Sequence, residues 1–331
     1  MLDLGTTLFM AAVLAGTPLL LGALGEILTE RSGNLNLGVE GMMFMGAVSG
    51  LIAAYSYEQA ALASGAEVVG LFSALIALVA AFVAGALGAT IYGFLTITLR
   101  SDQTVTGLVL SIFGTGFANF LGEYAGLRAG GYVAVSAVTK SVFAPLRIPL
   151  LADIPVLGPL FFQYNWMVYF ALAVAIGMAV FLFKTRIGLN LRAVGEDPAA
   201  ADAAGISVSR YRYLATIIGG GICGTGGMYM SMVTTSGVWV HGCVAGYGWL
   251  AVALVIFATW SPARGILLSV LFGGMMILRM YVPISGLPVQ IYEMLPYVAT
   301  ILVLIITSVR QSKKHAIPAG TGSNYFREDR E

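Results

Sequence analysis

The stretch Asn190–Ile206, NLRAVGEDPAAADAAGI, decides the fold class of this chain, because it sets a polar, alanine-rich segment between long apolar runs. Its composition favours a short helix, since alanine has the highest helix propensity. Basic residues lie within it and on both sides of it: Lys184, Arg186, Arg192, Arg210 and Arg212. A segment so charged cannot lie in lipid, and the positive-inside rule places it in the cytoplasm. We therefore expect a surface helix between two membrane spans, shaped to contact a partner.

The composition indicates a membrane protein. Of the 331 residues, 58% are hydrophobic and 10% are charged, whereas soluble domains carry about 25% charged residues. Few charges between long apolar runs predict an all-α, polytopic transmembrane helical bundle. The net charge of +1 argues against nucleic acid as a partner, and Cys223 and Cys243 fit neither a disulfide framework nor a metal cluster. The start, Met1–Leu4, lacks a basic n-region, so we expect the first run to be an uncleaved span.

Apolar runs of about 17–25 residues can cross a bilayer. On this criterion the chain has about nine spans (8–10), near 6–27, 39–54, 71–98, 104–122, 165–183, 213–233, 246–260, 265–282 and 291–309. We call Asn190–Ile206 the polar island. Other basic residues are predicted on the same side of the membrane: Arg31, Arg100, Arg264 and the Arg310–Lys314 cluster. This arrangement predicts an external N-terminus and a cytoplasmic C-terminus.

These spans define the expected domain organisation. A transmembrane domain would cover residues 1–310, with a cytoplasmic loop at about 184–212 and an external segment at about 123–164. A polar cytoplasmic tail would follow at 311–331, and we expect it to be disordered. Small residues recur at every fourth position in Ala77, Ala81, Gly85 and Ala89 and are denser in Gly219–Gly227, a pattern typical of close helix packing in membranes.

Two glycine-rich segments interrupt the predicted spans in similar ways. Ser32–Gly41 and Ser236–Gly246 both read Ser-Gly, four residues, Gly, and a further Gly three or four residues later. By the predicted topology the first opens to the cytoplasm and the second to the outside, as in an inverted-topology repeat with a binding site near the midplane. A chance similarity between glycine-rich segments is the alternative.

The motifs of an ATPase or hydrolase are absent from the sequence. The only lysines are Lys140, Lys184, Lys313 and Lys314, and none follows a glycine-rich phosphate cradle. His241 and His315 form no zinc motif, and no nucleophile elbow stands beside a plausible triad. We therefore expect a protein that is not an enzyme.

Ionisable residues inside the predicted spans are few, which argues against a proton- or sodium-coupled carrier. We interpret Glu26, Glu40, Arg279 and Glu293 as residues that anchor span ends at the membrane interface. The chain would then lack its own energy source, and the polar island could receive energy from a partner.

The residues Arg192–Ile206 resemble the cytoplasmic coupling loop of ABC-importer permeases of the ribose and branched-chain amino acid class. Further stretches resemble the nucleoside and simple-sugar permease subgroup: Glu30–Met42, Asp102–Gly107, Gly248–Phe257, Trp260–Pro262 and Leu295–Tyr297. The resemblance covers nearly the whole chain in order.

The resemblance implies a larger machine in a bacterial-type plasma (inner) membrane, with this chain as a multi-pass subunit. Its partners would be cytoplasmic ATP-binding subunits, a second homologous permease subunit, an extracytoplasmic substrate-binding lipoprotein and a small polar solute. ATP and Mg would bind the ATPase subunits, with no cofactor on this chain. The residues matching the coupling motif are Gly195, Glu196, Asp197, Pro198, Ala200, Ala201 and Gly205. Pro198 suits a first helical turn, Asp197 can cap it, and Gly205 can end it.

We call Ser32–Gly41 and Ser236–Gly246 the first and second broken segments. They and the residues directly after the second supply candidates for the substrate pathway: Asn34, Asn36, Glu40, Trp239, His241, Tyr247 and Trp249. The amides and the carboxylate could meet sugar hydroxyls, and the rings could stack a base. The alternative for the aromatic residues is an interfacial role.

The leading hypothesis is a permease subunit of an ABC importer of nucleosides or related small solutes. Within that class the solute could instead be a simple sugar, a riboflavin-like compound or a branched-chain amino acid. An ion-coupled carrier or channel acting alone, and a purely structural membrane subunit, are alternatives from other classes.

Overall fold

The computed structural model describes residues 4–147, 149, 151–152, 154–155, 157–284, 288–310 and 317–326. In the first half the helices are α1 (Leu4–Glu30), α2 (Val39–Ala63), α3 (Gly70–Gly93), α4 (Gln103–Arg128), α5 (Ala137–Val142), α6 (Leu157–Phe162) and α7 (Trp166–Lys184). In the second half they are α8 (Arg186–Glu196), α9 (Pro198–Ala203), α10 (Val208–Tyr229), α11 (Tyr247–Ala258), α12 (Pro262–Tyr281) and α13 (Val289–Arg310). The all-α fold class predicted from the sequence is confirmed.

Six helices of the described residues are long and apolar enough to cross a membrane: α1, α2, α3 with the π-helical turn that extends it to Thr98, α4, α7 and α12. Helix α11 is apolar but has only 12 residues. At 1.5 Å per residue it is about 18 Å long, which is roughly half of a 30 Å hydrocarbon core. The polytopic membrane class is therefore confirmed, while the count of about nine spans stays a prediction.

Helix α10 packs against α1, α2 and α3 at the centre of the bundle. The small residues predicted to pack lie in this contact, where Ala77, Ala81 and Ala89 of α3 are fully buried. A Cβ on Gly46 of α2 would overlap the backbone of Gly224 in α10. Glycine thus allows these backbones to touch, which is how membrane helices gain packing energy without a hydrophobic driving force.

The connecting segments gather at two ends of the bundle. One end, which we call the basic face, contains segments 31–38, 99–102, 185–207 and 259–261, and Arg31 Nε donates a hydrogen bond to the Trp260 carbonyl there (3.2 Å). The predicted grouping of Arg31, Arg100 and Arg264 with the polar island agrees with this arrangement. Residues 311–314 of the predicted basic cluster lie outside the described residues.

The opposite face contains segments 64–69 and 235–246 and the described residues of 129–165. The predicted external segment begins inside α4, because that helix continues to Arg128. Its Ala134 forms an isolated antiparallel β-bridge with Val238 of the second broken segment, and Val135 N–H donates to the Gly237 carbonyl there (2.9 Å). Glu58 of α2 is buried and accepts hydrogen bonds from Ser136 N–H (2.7 Å) and the Ser136 hydroxyl (2.8 Å). The opposite face is therefore a packed layer.

The described part of the tail, 317–326, differs from the disordered segment expected from its polarity. It lies against the basic face, where Gly320 N–H donates to the Gly195 carbonyl (2.9 Å). Pro318 and Gly320 are buried. Contacts with residues more than 100 positions away in sequence explain why polarity alone gave the wrong expectation.

Candidate coupling and pathway site

The polar island folds into two short helices joined at Asp197. The Asp197 Oδ1 atom accepts a hydrogen bond from Ala200 N–H (2.9 Å), so it caps α9, and Pro198 occupies the first turn. Gly205 has φ +82°, a left-handed conformation that glycine adopts without steric cost. The helix boundaries thus lie where the side-chain chemistry of these three residues predicts.

Helix α9 has a buried side and an exposed side. Ala201 is 3% exposed and packs with Val194 and Val208 in a small apolar cluster. Exposed residues on the other side are Glu196, Asp197, Ala199, Ala200, Ala203, Ala204 and Gly205. Short side chains dominate this surface, so another protein surface can approach its backbone closely.

Gly195, at the end of α8, lies directly against the first broken segment. A Cβ on Gly195 would overlap the Arg31 carbonyl and would lie 3.2 Å from the Gly33 nitrogen. Burial lowers the pKa of the Arg31 guanidinium, and the nearby Glu196 carboxylate opposes this shift. The predicted coupling residues and the predicted pathway segment are therefore in contact at the basic face.

Both predicted asparagines are fully buried in the bundle. Asn34 Nδ2 donates to the Thr216 hydroxyl of α10 (3.3 Å). Asn36 Oδ1 accepts from Gly38 N–H (2.9 Å), just before α2 begins. Since both amides hold protein groups in this conformation, they fix the shape of the turn between α1 and α2.

Glu26 does not anchor a helix end at the membrane interface, as the sequence suggested. It is fully buried, and its Oε1 accepts a hydrogen bond from Asn36 N–H (3.2 Å). The turn 31–38 folds back along α1. This brings the backbone N–H of Asn36 to Glu26, which lies one turn before the end of that helix. A buried carboxylate requires such a partner.

Several residues that hold the first broken segment were not identified from the sequence. Gln103 Oε1 accepts from Leu35 N–H (2.7 Å), and the Tyr92 hydroxyl donates to the Leu35 carbonyl. The Trp260 indole N–H donates to the Glu30 carboxylate. Gln103, Trp260 and Glu30 lie in the stretches that resemble the nucleoside and sugar subgroup, and that resemblance could have identified them. Nothing in the local sequence of Tyr92 indicates its contact with Leu35.

Helices α2 and α11 begin beside each other, inside the bundle. Glu40 lies in the first turn of α2. Its Oε2 accepts a hydrogen bond from the backbone N–H of Trp249, in the first turn of α11 (3.4 Å). A Cβ on Gly248 would overlap the Glu40 backbone. The partial positive charge of a helix N-terminus stabilises a carboxylate, so Glu40 ties the two broken segments together. Tyr247 is half-buried at this point, and Trp249 is 38% exposed.

Trp239 and His241 lie away from this meeting point, at the opposite face. Trp239 is buried against Gly122 of α4, where an added Cβ would overlap the indole ring. His241 Nδ1 lies 2.6 Å from Glu123 Oε1, and both side chains are exposed. The structure thus divides the predicted pathway residues into three places: Asn34 and Asn36 near the basic face, Glu40 with α11 inside the bundle, and these two at the opposite face.

The arrangement places two aromatic residues at the start of α11, beside the buried Glu40 carboxylate that accepts the backbone N–H of Trp249. A carboxylate can accept hydrogen bonds from hydroxyl or amino groups, and aromatic rings can stack on a flat solute. A chain of direct contacts joins this place to the surface of α9 through Gly195, the turn 31–38 and Glu40. The geometry can therefore link a surface contact to a polar site within the bundle.

Comparisons with known proteins agree with this organisation. The family model described as branched-chain amino acid transport system / permease component matches residues 8–304. A putative glucose ABC transporter permease protein, TsgC13 of Haloferax volcanii, is 35% identical over 344 residues, covering 97% of this chain and 98% of that protein.

Two bacterial relatives align over similar lengths. The guanosine ABC transporter permease protein NupQ of Bacillus subtilis is 33% identical over 306 residues, covering 89% of each chain. The nucleoside ABC transporter permease protein NupC of Lactococcus lactis is 32% identical over 319 residues, covering 94% of each. On a family match along nearly the whole helical bundle, and on relatives above 30% identity that align almost end to end, this chain belongs to the family of branched-chain amino acid transport system permease components, as a multi-pass membrane permease of ABC transporters.

Proposed function

We propose that this chain forms half of the translocation pathway of an ABC importer for nucleosides or related small solutes. Its exposed α9 would dock in a groove of a cytoplasmic ATPase subunit, which binds ATP and Mg. A second homologous permease subunit would complete the pathway, and an extracytoplasmic lipoprotein would deliver the solute. The complex would lie in a bacterial-type inner membrane.

The observation that carries the proposal is the contact between Gly195 and the turn 31–38. Because the neighbouring atoms are backbone atoms, α8 and α9 cannot move toward this turn without displacing it. The turn leads directly into α2, and Glu40 of α2 holds Trp249 of α11. ATP-driven movement of α9 would thus reach the two broken helices, as rigid-body gating around a central site requires.

The proposed topology has about nine spans, an external N-terminus and a cytoplasmic C-terminus. The basic face would be cytoplasmic, since it carries Arg31, Arg100, Arg192 and Arg264 around the polar island. The meeting of α2 and α11 supports an inverted relation between the two broken segments, because such repeats converge at the midplane.

Nucleosides are the proposed solutes because they combine a flat base with a polyhydroxylated sugar. The rings of Tyr247 and Trp249 suit the base, and the Glu40 carboxylate suits a hydroxyl or amino group. The solutes for which these three relatives are named, guanosine, nucleosides and glucose, all contain a polyhydroxylated ring.

The experiment is uptake of radiolabelled guanosine into vesicles that contain this chain, its second permease subunit, the ATPase subunits and the binding lipoprotein, with ATP on the ATPase side. We expect uptake that requires both ATP and the ATPase, and competition by other nucleosides but not by leucine or riboflavin. Uptake by this chain alone along an ion gradient would support a carrier instead. Competition by glucose and not by nucleosides would change the proposed solute but keep the proposed role.

A further inference from the structure

Residues 317–326, which we call the C-terminal strap, bind the two short helices of the polar island. Gly320 N–H donates to the Gly195 carbonyl (2.9 Å), and Ala319 N–H donates to Glu196 Oε2 (3.3 Å). At its other end the Tyr325 hydroxyl donates to Asp202 Oδ2 of α9 (3.0 Å). Tyr325 also packs beside the apolar cluster of Val194, Ala201 and Val208. The strap therefore holds both the start and the end of α9.

The same ten residues also reach three other helices and the turn between α3 and α4. Two strap side chains donate hydrogen bonds: the Asn324 amide to the Arg100 carbonyl (2.7 Å) and the Thr321 hydroxyl to the Glu30 carbonyl (3.4 Å). The Ser323 carbonyl of the strap accepts two, from Gln103 Nε2 (3.5 Å) and Arg212 Nη1 (3.2 Å). The Arg100 guanidinium also lies 4.3 Å from the centroid of the Phe326 ring. The strap thus joins α9 to the last residue of α1, the turn between α3 and α4, and α10.

The fit of the strap depends on a glycine. A Cβ on Gly320 would lie 2.8 Å from the Gly195 carbonyl oxygen and 3.2 Å from Pro198 Cδ. Both neighbours are backbone or ring atoms that cannot rotate away. The strap is therefore packed against α8 and α9 closely enough to move with them.

We propose that the C-terminal strap is a positioning element of the coupling surface, which transmits displacement of α9 to α1, α4 and α10 in parallel with the contact at Gly195. This inference rests on the proposed function, since it assumes that a partner moves α9. A helix of six residues is not stable by itself, so its position is set by whatever binds its two ends. The strap binds both ends and the fixed helices around them.

The test uses Gly320→Val in the complete, reconstituted importer, with solute uptake and ATP hydrolysis measured in the same vesicles. The matched control is Gly177→Val in α7, where an added Cβ meets nothing within 4 Å. We expect normal assembly with the ATPase, continued hydrolysis, and a rise of at least about fivefold in ATP hydrolysed per solute transported. The control should keep the parental ratio.

A milder variant keeps the test decisive if Gly320→Val prevents assembly. Tyr325→Phe removes only the hydroxyl that binds Asp202, and we expect the same ratio to rise about twofold or more. If Gly320→Val assembles, a parental ratio or a proportional loss of both activities in it, together with a parental ratio in Tyr325→Phe, would overturn the inference, because a merely structural segment affects hydrolysis and uptake equally. If Gly320→Val does not assemble, a parental ratio in Tyr325→Phe alone would overturn it.

Failure of this inference can be distinguished from failure of the proposed function. If the strap has no coupling role, its variants remain coupled while changes within α9 still uncouple uptake from ATP hydrolysis. If the proposed function is wrong, the unaltered complex shows no ATP-dependent uptake, and the strap variants then have no ratio to change.

Discussion

Replacement of Gly195 by alanine should uncouple the importer, because this residue is the point at which the polar island touches the first broken segment. The added methyl group would overlap the Arg31 carbonyl and lie 3.2 Å from the Gly33 nitrogen. Neither is part of a flexible side chain, so α8 must move away from the turn or the turn must move inward. In either case a backbone contact changes on the path from α9 through Gly195 and the turn 31–38 to α2.

The magnitude follows from the cost of overpacking. Inserting a methyl group into a well-packed contact costs about 1–3 kcal/mol. We expect this cost to destabilise the conformation in which Gly195 contacts the turn 31–38. The coupling free energy between ATP hydrolysis and uptake then decreases by the same amount. Uptake per ATP hydrolysed should then fall by roughly 5- to 150-fold.

The assay measures guanosine uptake and ATP hydrolysis together in vesicles that hold the complete complex. Gly177→Ala, which adds the same methyl group at an open position of α7, is the control and should match the parental protein. We also expect Gly195→Ala to co-purify with the ATPase, because the exposed surface of α9 is unchanged. If a correctly assembled Gly195→Ala complex keeps the parental uptake per ATP, the contact between Gly195 and the turn 31–38 does not transmit movement of α9, and the reasoning is wrong.

Three further changes test other contacts. Asp197→Ala removes the cap of α9, which costs about 1 kcal/mol, so binding of the ATPase subunits in a titration should weaken about fivefold; unchanged affinity would show that this cap is not needed for docking. Gly248→Ala forces α11 away from Glu40, and we expect loss of uptake with normal ATPase assembly; retained uptake would separate this contact from transport. Trp260→Phe removes the donor to buried Glu30, at a cost of about 1–3 kcal/mol, so thermal unfolding in detergent should occur at a lower temperature, and an unchanged midpoint would contradict the assigned hydrogen bond.

The features predicted correctly from the sequence are those that depend on neighbouring residues. Asp197, Pro198 and Gly205 set the limits of α9 through rules that act within one helical turn. The small-residue stripe of α3 was also recognisable, because its spacing of four places all its members on one helix face. Local chemistry is sufficient for such elements.

Features that depend on distant partners were missed. Glu26 was expected at an interface, yet it is buried, because its partner Asn36 returns along α1 after the turn. The strap was expected to be disordered since it is polar, but its partners are carbonyl and carboxylate groups on segments far away in sequence. Polarity predicts exposure only when no such partners exist in the fold.

The contact between the first turns of α2 and α11 was predicted only in part by the sequence pattern. Two Ser-Gly segments with similar spacing marked the positions at which helices are broken. The pattern did not reveal that Glu40 contacts Trp249 while Trp239 and His241 lie at the other end of the bundle. That distribution depends on contacts with Gly122 and Glu123 of α4 and with Glu40 of α2, all of them distant in sequence from the second segment.

The central claim, that movement of α9 reaches α11 through Gly195, is tested most directly by chemical labelling at Trp249. In a chain with Cys223 and Cys243 replaced by alanine, Trp249→Cys would be modified by a membrane-impermeant thiol reagent in the complete complex, with and without ATP. We expect ATP to change the modification rate strongly, and we expect this change to be absent when Gly195→Ala is added. An equal ATP-dependent change in both proteins, or none in either, would contradict the claim.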